Sequence, residues 1–293
     1  MKVARSRSEL ERVSRAVAVG SFDGVHLGHR RVLRAALDAG LRSTVVTFYP
    51  HPRTVLGNRV ELLTTLERRL ELLEDAGVEE TLVVEFGLEL AEWEPEAFAE
   101  RLLRPLGAEV VVAGENFRFG RARRGDLELL SELGFDARVV PLVEGVSSTR
   151  IRQFLGAGQI EPAARMLGRP PELDGVVVSG DARGGTLGFP TANLLVDPEL
   201  VVPEYGIYAG QARGHRAAIS IGVNPHYGGS ERRIEAFLLD FEGDLYGTRL
   251  IVELWQRLRD ERAFTSEDEL VAQIADDVER TRRARPPILH SKG

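Results

Sequence analysis

The chain changes texture once, and that change limits the folds open to it. From Ala16 to about Gly145, the short β-branched runs "AVAVGSF", "STVVTFY", "TLVVEF", "EVVVAG" and "ARVVPLV" alternate with helical stretches. Near-continuous apolar strands separated by helices predict a parallel sheet covered on both faces. One such helix, "TLERRLELLEDAG", places Leu66, Leu70 and Leu73 on one side and stops at Gly77. After a helical connection, "SSTRIRQFLGAGQIEPAARMLG", the alternation ends at Gly168-Arg169-Pro170-Pro171. From Leu173 to about Leu254 the runs "GVVVSG", "GIYAG", "AAISIGV", "RIEAFLLDF" and "TRLIVELW" succeed one another without a helix, which predicts an antiparallel barrel or sandwich. A final helix, "SEDELVAQIADDVERTRR", begins at a capping Ser266 and aligns Leu270, Ile274 and Val278. The expected domains are therefore 1–166, an α/β unit, and 167–293, a β-rich unit closed by a helix.

Composition removes several functions. At 293 residues and 43% hydrophobic content, the chain can bury two ordinary cores. It contains no run of about eighteen apolar residues, so no membrane span is expected. The opening "MKVARSRSELERVSRAVAVG" is charged and helix-compatible, without the apolar core of a signal peptide, and a cytoplasmic location is expected. The absence of cysteine excludes disulfides, thiolate catalysis and cysteine zinc sites. A net charge of −7 argues against nucleic acid as a partner. The lysines are Lys2 and Lys292 alone, so bound phosphate must meet arginine, histidine or backbone N–H groups.

"GSFDGVHLGH" (Gly20 to His29) stands where the first strand gives way to the first helix. Gly20, Gly24 and Gly28 allow close backbone approach and positive φ. The helix beyond offers unpaired N–H groups and a positive dipole end, which together favour anions. His26 and His29 add two compact donors able to stabilise charge on a phosphate in transfer. The bland alternative is a glycine turn with surface histidines; the concentration of the cluster favours phosphate chemistry. A catalytic zinc wants three protein ligands, and no HExxH helix is present. No GxGxxG follows the first strand, and "GDARGGT" (Gly180 to Thr186) has P-loop glycine spacing without the lysine.

These residues resemble the HxGH signature of nucleotidyltransferases, and the extended block is similar to that of the bacterial bifunctional riboflavin kinase/FAD synthetase family. Further blocks match in order: "FYPHP", "GENFRFG", "SSTRIR", "LGFPTANL", "IEAFLLDFEGDLYG" and "LRDERAF", so that the likeness spans about residues 15 to 285. The resemblance implies a Rossmann-like nucleotidyltransferase domain followed by a six-stranded flavokinase barrel with a C-terminal helix. The second domain would convert riboflavin and ATP to FMN; the first would transfer AMP from ATP to FMN, giving FAD and pyrophosphate. It implies His26 and His29 as the catalytic phosphate-contacting pair, with Gly20, Phe22 and Gly28 beside the ATP phosphates. Ser148, Thr149 and Arg150 match the block that holds the triphosphate from the opposite side. Asn116 and His51 become flavin or nucleotide loop candidates. For Phe117 and Phe119, alternating like a buried strand end, core packing is the default. In the kinase domain, Glu235 resembles the base that takes the riboflavin hydroxyl proton. Thr191 and Asn193, two residues apart and so on one face of an extended chain, offer hard oxygens for Mg2+. Arg183, Gly188 and Pro190 are ATP-side candidates. The partners are small molecules, and oligomeric state stays open.

Two departures stand out. Gly185 occupies a place where the family generally carries a basic residue, and His226 replaces the threonine of "NPTF". They leave room for an adenylyltransferase with an impaired kinase, or for a flavin-binding regulator without catalysis.

Overall fold

The structure, a computed structural model, describes residues 1–180, 189–223 and 232–289. It divides into two compact units, Met1–Ser147 and Ser148–Gly293.

The first unit is built on β1 (Lys2–Ala4), β2 (Arg15–Val19), β3 (Arg42–Tyr49), β4 (Glu80–Glu85), β5 (Ala108–Gly114) and β6 (Asp136–Val140). They form one sheet in the order β1-β4-β3-β2-β5-β6, every neighbouring pair parallel. Burial on two faces explains the apolar continuity of β2. Val17 and Val19 join one core with Val111, Phe98 and Leu103, whereas Ala16 and Ala18 face the other with Val110, Val112 and Leu33. The small alanines let helix Leu27–Leu37, which contributes Leu33, approach the sheet closely.

Two local expectations are corrected. The helix-compatible start instead pairs as an edge strand, Lys2 opposite Glu80, followed by a 3-10 turn Arg7–Glu9 capped by Ser6; tertiary pairing overrides a weak local preference. The strand before Phe117 stops at Gly114, where Phe117 N–H turns back to the Gly114 carbonyl. Phe119 is nevertheless buried, through a bridge to Gly125 and a ring contact with Phe98 at 5.1 Å.

The second unit starts with helices Ser148–Gly156 and Ile160–Leu167, which pack on one another. It continues with β7 (Glu172–Val178), β8 (Ala192–Val196), β9 (Gly206–Ala212), β10 (His215–Val223), β11 (Arg232–Leu238) and β12 (Arg249–Arg259). These antiparallel strands close a barrel in the order β10-β11-β8-β7-β12-β9. Helix Glu267–Arg283 follows, with Ser266 accepting the Glu269 N–H as expected. Its most buried side chains are Asp277 and Thr281, while Leu270, Ile274 and Val278 are half-buried. Asp277 is held by the guanidinium of Arg259 at 2.7 Å, so an ion pair anchors the helix beside its apolar stripe. Among the described residues, no helix is long and apolar enough to cross a membrane.

Candidate functional site

In the first unit the connections diverge between β2 and β5: β3 and β4 lie to one side of β2, β5 and β6 to the other. Such a reversal opens a crevice at the carboxyl ends of the strands. The loop Gly20–Val25 leaves β2 at this edge, His51 follows β3 and Asn116 follows β5.

Three residues of the loop have left-handed backbones, Phe22 at φ 48°, Gly24 at 80° and Val25 at 38°. For a β-branched residue such as Val25 that conformation is strained and must be imposed by its surroundings. Asp23 supplies part of the restraint. Its buried carboxylate accepts the N–H groups of Leu63 and Thr64 at 3.0 and 3.1 Å, and the Thr64 hydroxyl also accepts the Gly24 N–H. A side chain at Gly24 would begin 2.7 Å from Leu63, a second reason for glycine there.

The restrained turn delivers two imidazoles to the head of helix Leu27–Leu37. His26 caps it, its Nδ1 accepting the His29 N–H at 3.3 Å. An accepting Nδ1 puts the proton of the neutral ring on Nε2. The rings of His26 and His29 stack at 3.7 Å with 13° between planes, and Phe22 meets His29 edge-on at 5.2 Å. A Cβ at Gly28 would lie 3.1 Å from the His26 ring, so glycine leaves that ring its place over the first turn. Gly20, Phe22, His26, Gly28 and His29 are thus one cluster.

The remaining first-unit candidates have plainer positions. His51 is buried and caps the short helix Pro52–Val55, accepting the Arg53 N–H at 3.2 Å. Asn116 is exposed in the loop after β5. Ser148, Thr149 and Arg150 open a helix of the second unit, with the Arg150 guanidinium 5.9 Å from the Phe154 ring.

In the barrel, Asn193 of β8 and Glu235 of β11 are direct cross-strand partners. Thr191 precedes β8, and its hydroxyl is 3.5 Å from Glu235 Oε2. Thr191, Asn193 and Glu235 therefore converge. Thr191 and Asn193 also line a cavity of about 310 Å³, together with Val178, Pro190, Leu238, Phe241, Asp244 and Tyr246. Arg183, Gly185, Gly188 and His226 lie outside the described residues.

Three neighbours were not anticipated. Asp23 straps the histidine loop, Gly180 leaves space for the Asn193 amide, and Arg233 pairs with Glu235 at 3.2 Å. The spacing of Arg233, two residues from Glu235 on a strand, was a usable signal because such residues share a face. Gly180 carried none, since its relation to Asn193 is made across strands.

Comparison with known proteins covers both halves. Residues 9–152 match the FAD synthetase family model and residues 167–285 the riboflavin kinase family model. The bifunctional riboflavin kinase/FMN adenylyltransferase of Listeria monocytogenes is 36% identical over 92% of this chain and 92% of its own. Its Escherichia coli counterpart is 36% identical over 89% and 90%. A solved Streptococcus pneumoniae structure, described as a macrolide-efflux protein, is 32% identical with a TM-score of 0.86 and covers 96% of this chain and 98% of its own.

Proposed function

The chain belongs to the bifunctional riboflavin kinase/FMN adenylyltransferase family, and from that premise we infer that it phosphorylates riboflavin to FMN and adenylylates FMN to FAD. The observation that carries the reading is the presence, in one chain, of two separate phosphate-transfer sets: the stacked His26–His29 pair and the convergent Thr191, Asn193 and Glu235.

In the kinase reaction the riboflavin 5′-hydroxyl oxygen attacks the γ-phosphorus of ATP, its proton passes to the Glu235 carboxylate, and ADP leaves. A carboxylate in hydrogen-bond reach of the hydroxyl supplies this base. The Thr191 hydroxyl and the Asn193 side-chain oxygen, hard donors beside a carboxylate, suit Mg2+, which when bound would neutralise charge on the ATP phosphates. Pro190, the ATP-side candidate, lines the adjoining cavity, which is assigned to ATP.

In the adenylyl transfer, an FMN phosphate oxygen attacks the α-phosphorus of ATP and the bond to pyrophosphate breaks. The chain needs no covalent step there. His26, through Nε2–H, and His29 stabilise the charge that builds on the phosphorus and the leaving pyrophosphate. Gly20, Phe22 and Gly28 shape the phosphate-binding turn, and the family resemblance adds Ser148, Thr149 and Arg150 as triphosphate donors and Asn116 as a loop contact. His51 is already engaged as a helix cap, which favours a supporting role.

The purified chain, given riboflavin, ATP and Mg2+, is expected to form FMN first and FAD after it, resolved by chromatography. Accumulation of neither product, from a folded chain, overturns the reading.

A further inference from the structure

Glu235 has a neighbour that its assignment as base does not explain. Arg233 and Glu235 are two residues apart on β11, so both project from the same face of the strand. The intervening Ile234, with Ala236 and Leu238, is buried in the barrel interior. Arg233 and Glu235 stay partly accessible, their side chains 30% and 27% exposed.

The contacts divide the carboxylate between two partners. Arg233 Nη1 lies 3.2 Å from Oε1, and the Thr191 hydroxyl lies 3.5 Å from Oε2. On the adjacent strand, Ser220 stands opposite Glu235, and Gly222 stands opposite Arg233, where the space a side chain would take is filled by the Glu261 carboxylate. A glutamate on a strand can swing its terminal carboxylate over a broad, roughly two-fold range, which scatters the position of a proton acceptor. A guanidinium on one oxygen narrows that range.

We propose that Arg233 is a positioning residue for riboflavin phosphorylation: by holding Oε1 it presents Oε2, the oxygen on the Thr191 side, to the reacting hydroxyl. The proposal rests on Glu235 being the base. It deepens that role by assigning the two carboxylate oxygens different tasks. A partly exposed ion pair adds little to the stability of a fold. Its loss is therefore expected to appear in turnover and not in melting, which separates positioning from a structural role.

The test is a double-mutant cycle on the full chain, with riboflavin phosphorylation read as kcat and as KM for each substrate. Arg233→Met is expected to lower kcat on the order of 10- to 100-fold, the scale of a misplaced reacting group. KM for ATP and the melting temperature should change little. Arg233→Lys, which keeps the charge but not the planar fork, should restore part of the rate. In a Glu235→Ala background, whose residual turnover is followed at high enzyme concentration, Arg233→Met should change kcat by less than about twofold, because the group it positions is gone. If Arg233→Met melts early, Arg233→Gln replaces it in the cycle. A wild-type kcat in these variants, or a loss that multiplies undiminished in the Glu235→Ala background, overturns the proposal. Wild-type turnover by Glu235→Gln would instead overturn the assignment of the base.

Discussion

Asn193 fills the space that a side chain at position 180 would need: a Cβ built on Gly180 falls 2.1 Å from Asn193 Nδ2. The glycine is therefore part of how Asn193 reaches its place beside Glu235. Gly180→Ala is expected to displace the amide and lower riboflavin phosphorylation on the order of 10- to 100-fold, through loss of alignment. FAD formation from supplied FMN should persist. Steady-state assays of both half-reactions check this, and an unimpaired kinase would show that the Asn193 position is not needed.

The histidine stack makes the complementary prediction. His29→Ala removes the ring that lies 3.7 Å from His26 and leaves the His26 cap without its stacking partner. A preorganised donor to developing charge contributes roughly 10²- to 10³-fold in rate. FAD formation should fall by about that factor while riboflavin phosphorylation continues. Equal loss of both activities at an unchanged melting temperature would count against the division of labour.

At the opposite end of β2 a buried ion pair supports the sheet. Arg15 Nε donates to Glu80 Oε2 at 2.8 Å, while its other nitrogens reach the carbonyls of Leu106 and Glu11 at 2.7 and 2.8 Å. Both side chains are almost fully buried. Removing one partner of a buried pair costs up to about 3–5 kcal/mol when the other charge is stranded. Here Glu80 keeps Arg42 at 3.1 Å and the Thr44 hydroxyl, so the expected loss is about 2–3 kcal/mol. Arg15→Met should lose about that much in urea denaturation, with Arg15→Met/Glu80→Gln losing less than the sum of the single variants. Strict additivity would show that the two groups are not coupled.

The large periodic elements were legible because they are determined locally. The β-branched runs around Val17, Val45, Val83 and Val111 each became a strand of the parallel sheet, and the change after Pro171 marked the onset of the barrel. Short elements were not, because long-range pairing decides them. Lys2–Ala4 is a strand through its pairing with β4, and the extended chain read at Thr191 to Asn193 continues as Ala192–Val196 through pairing with β7 and β11. The site divided in the same way. His26, His29, Thr191, Asn193 and Glu235 sit in dense blocks. Asp23 and Gly180 act across the fold, on Leu63, 40 residues away, and on Asn193; outside the site, Arg15 does the same on Glu80, 65 residues away.

Alkaline pH should destabilise the barrel through Tyr208. Its ring is fully buried, and its hydroxyl donates to the Glu204 carbonyl. Burial pushes the phenol up to about 12, against the opposing influence of Arg257. An unfolded tyrosine ionises near pH 10. Between about pH 10 and 12 the unfolded chain therefore releases a proton that the folded chain keeps, and stability declines as pH rises through that window. Its contribution is fully present below about pH 10. Few lysine titrations interfere, since Lys2 and Lys292 are the only lysines. Tyr208→Phe should flatten the decline of the urea midpoint over this range; an unchanged slope would assign the alkaline sensitivity elsewhere.

The last prediction concerns where the kinase can be cut from the chain. We propose that its chemistry lies within residues 167–293, which contain Thr191, Asn193 and Glu235, while its stability draws on the preceding helices. The second compact unit begins at Ser148, although the riboflavin kinase family match begins at 167. Helix Ile160–Leu167 buries Ile160, Ala163, Ala164 and Leu167, and it packs on helix Ser148–Gly156 and on β12. Each large apolar side chain withdrawn from water contributes roughly 1.5–3 kcal/mol, so removing Ile160, with the smaller Ala163 and Ala164, costs on the order of 2–3 kcal/mol. A fragment of residues 148–293 should fold cooperatively and convert riboflavin to FMN. A fragment of residues 167–293 should do so only in its folded fraction, with a lower denaturation midpoint and a similar kcat per folded molecule. Circular dichroism in urea, paired with phosphorylation assays on both fragments, separates these quantities. Equal midpoints would show that the helical pair does not support the barrel, and a folded but inert 148–293 fragment would show that the kinase needs groups from residues 1–147.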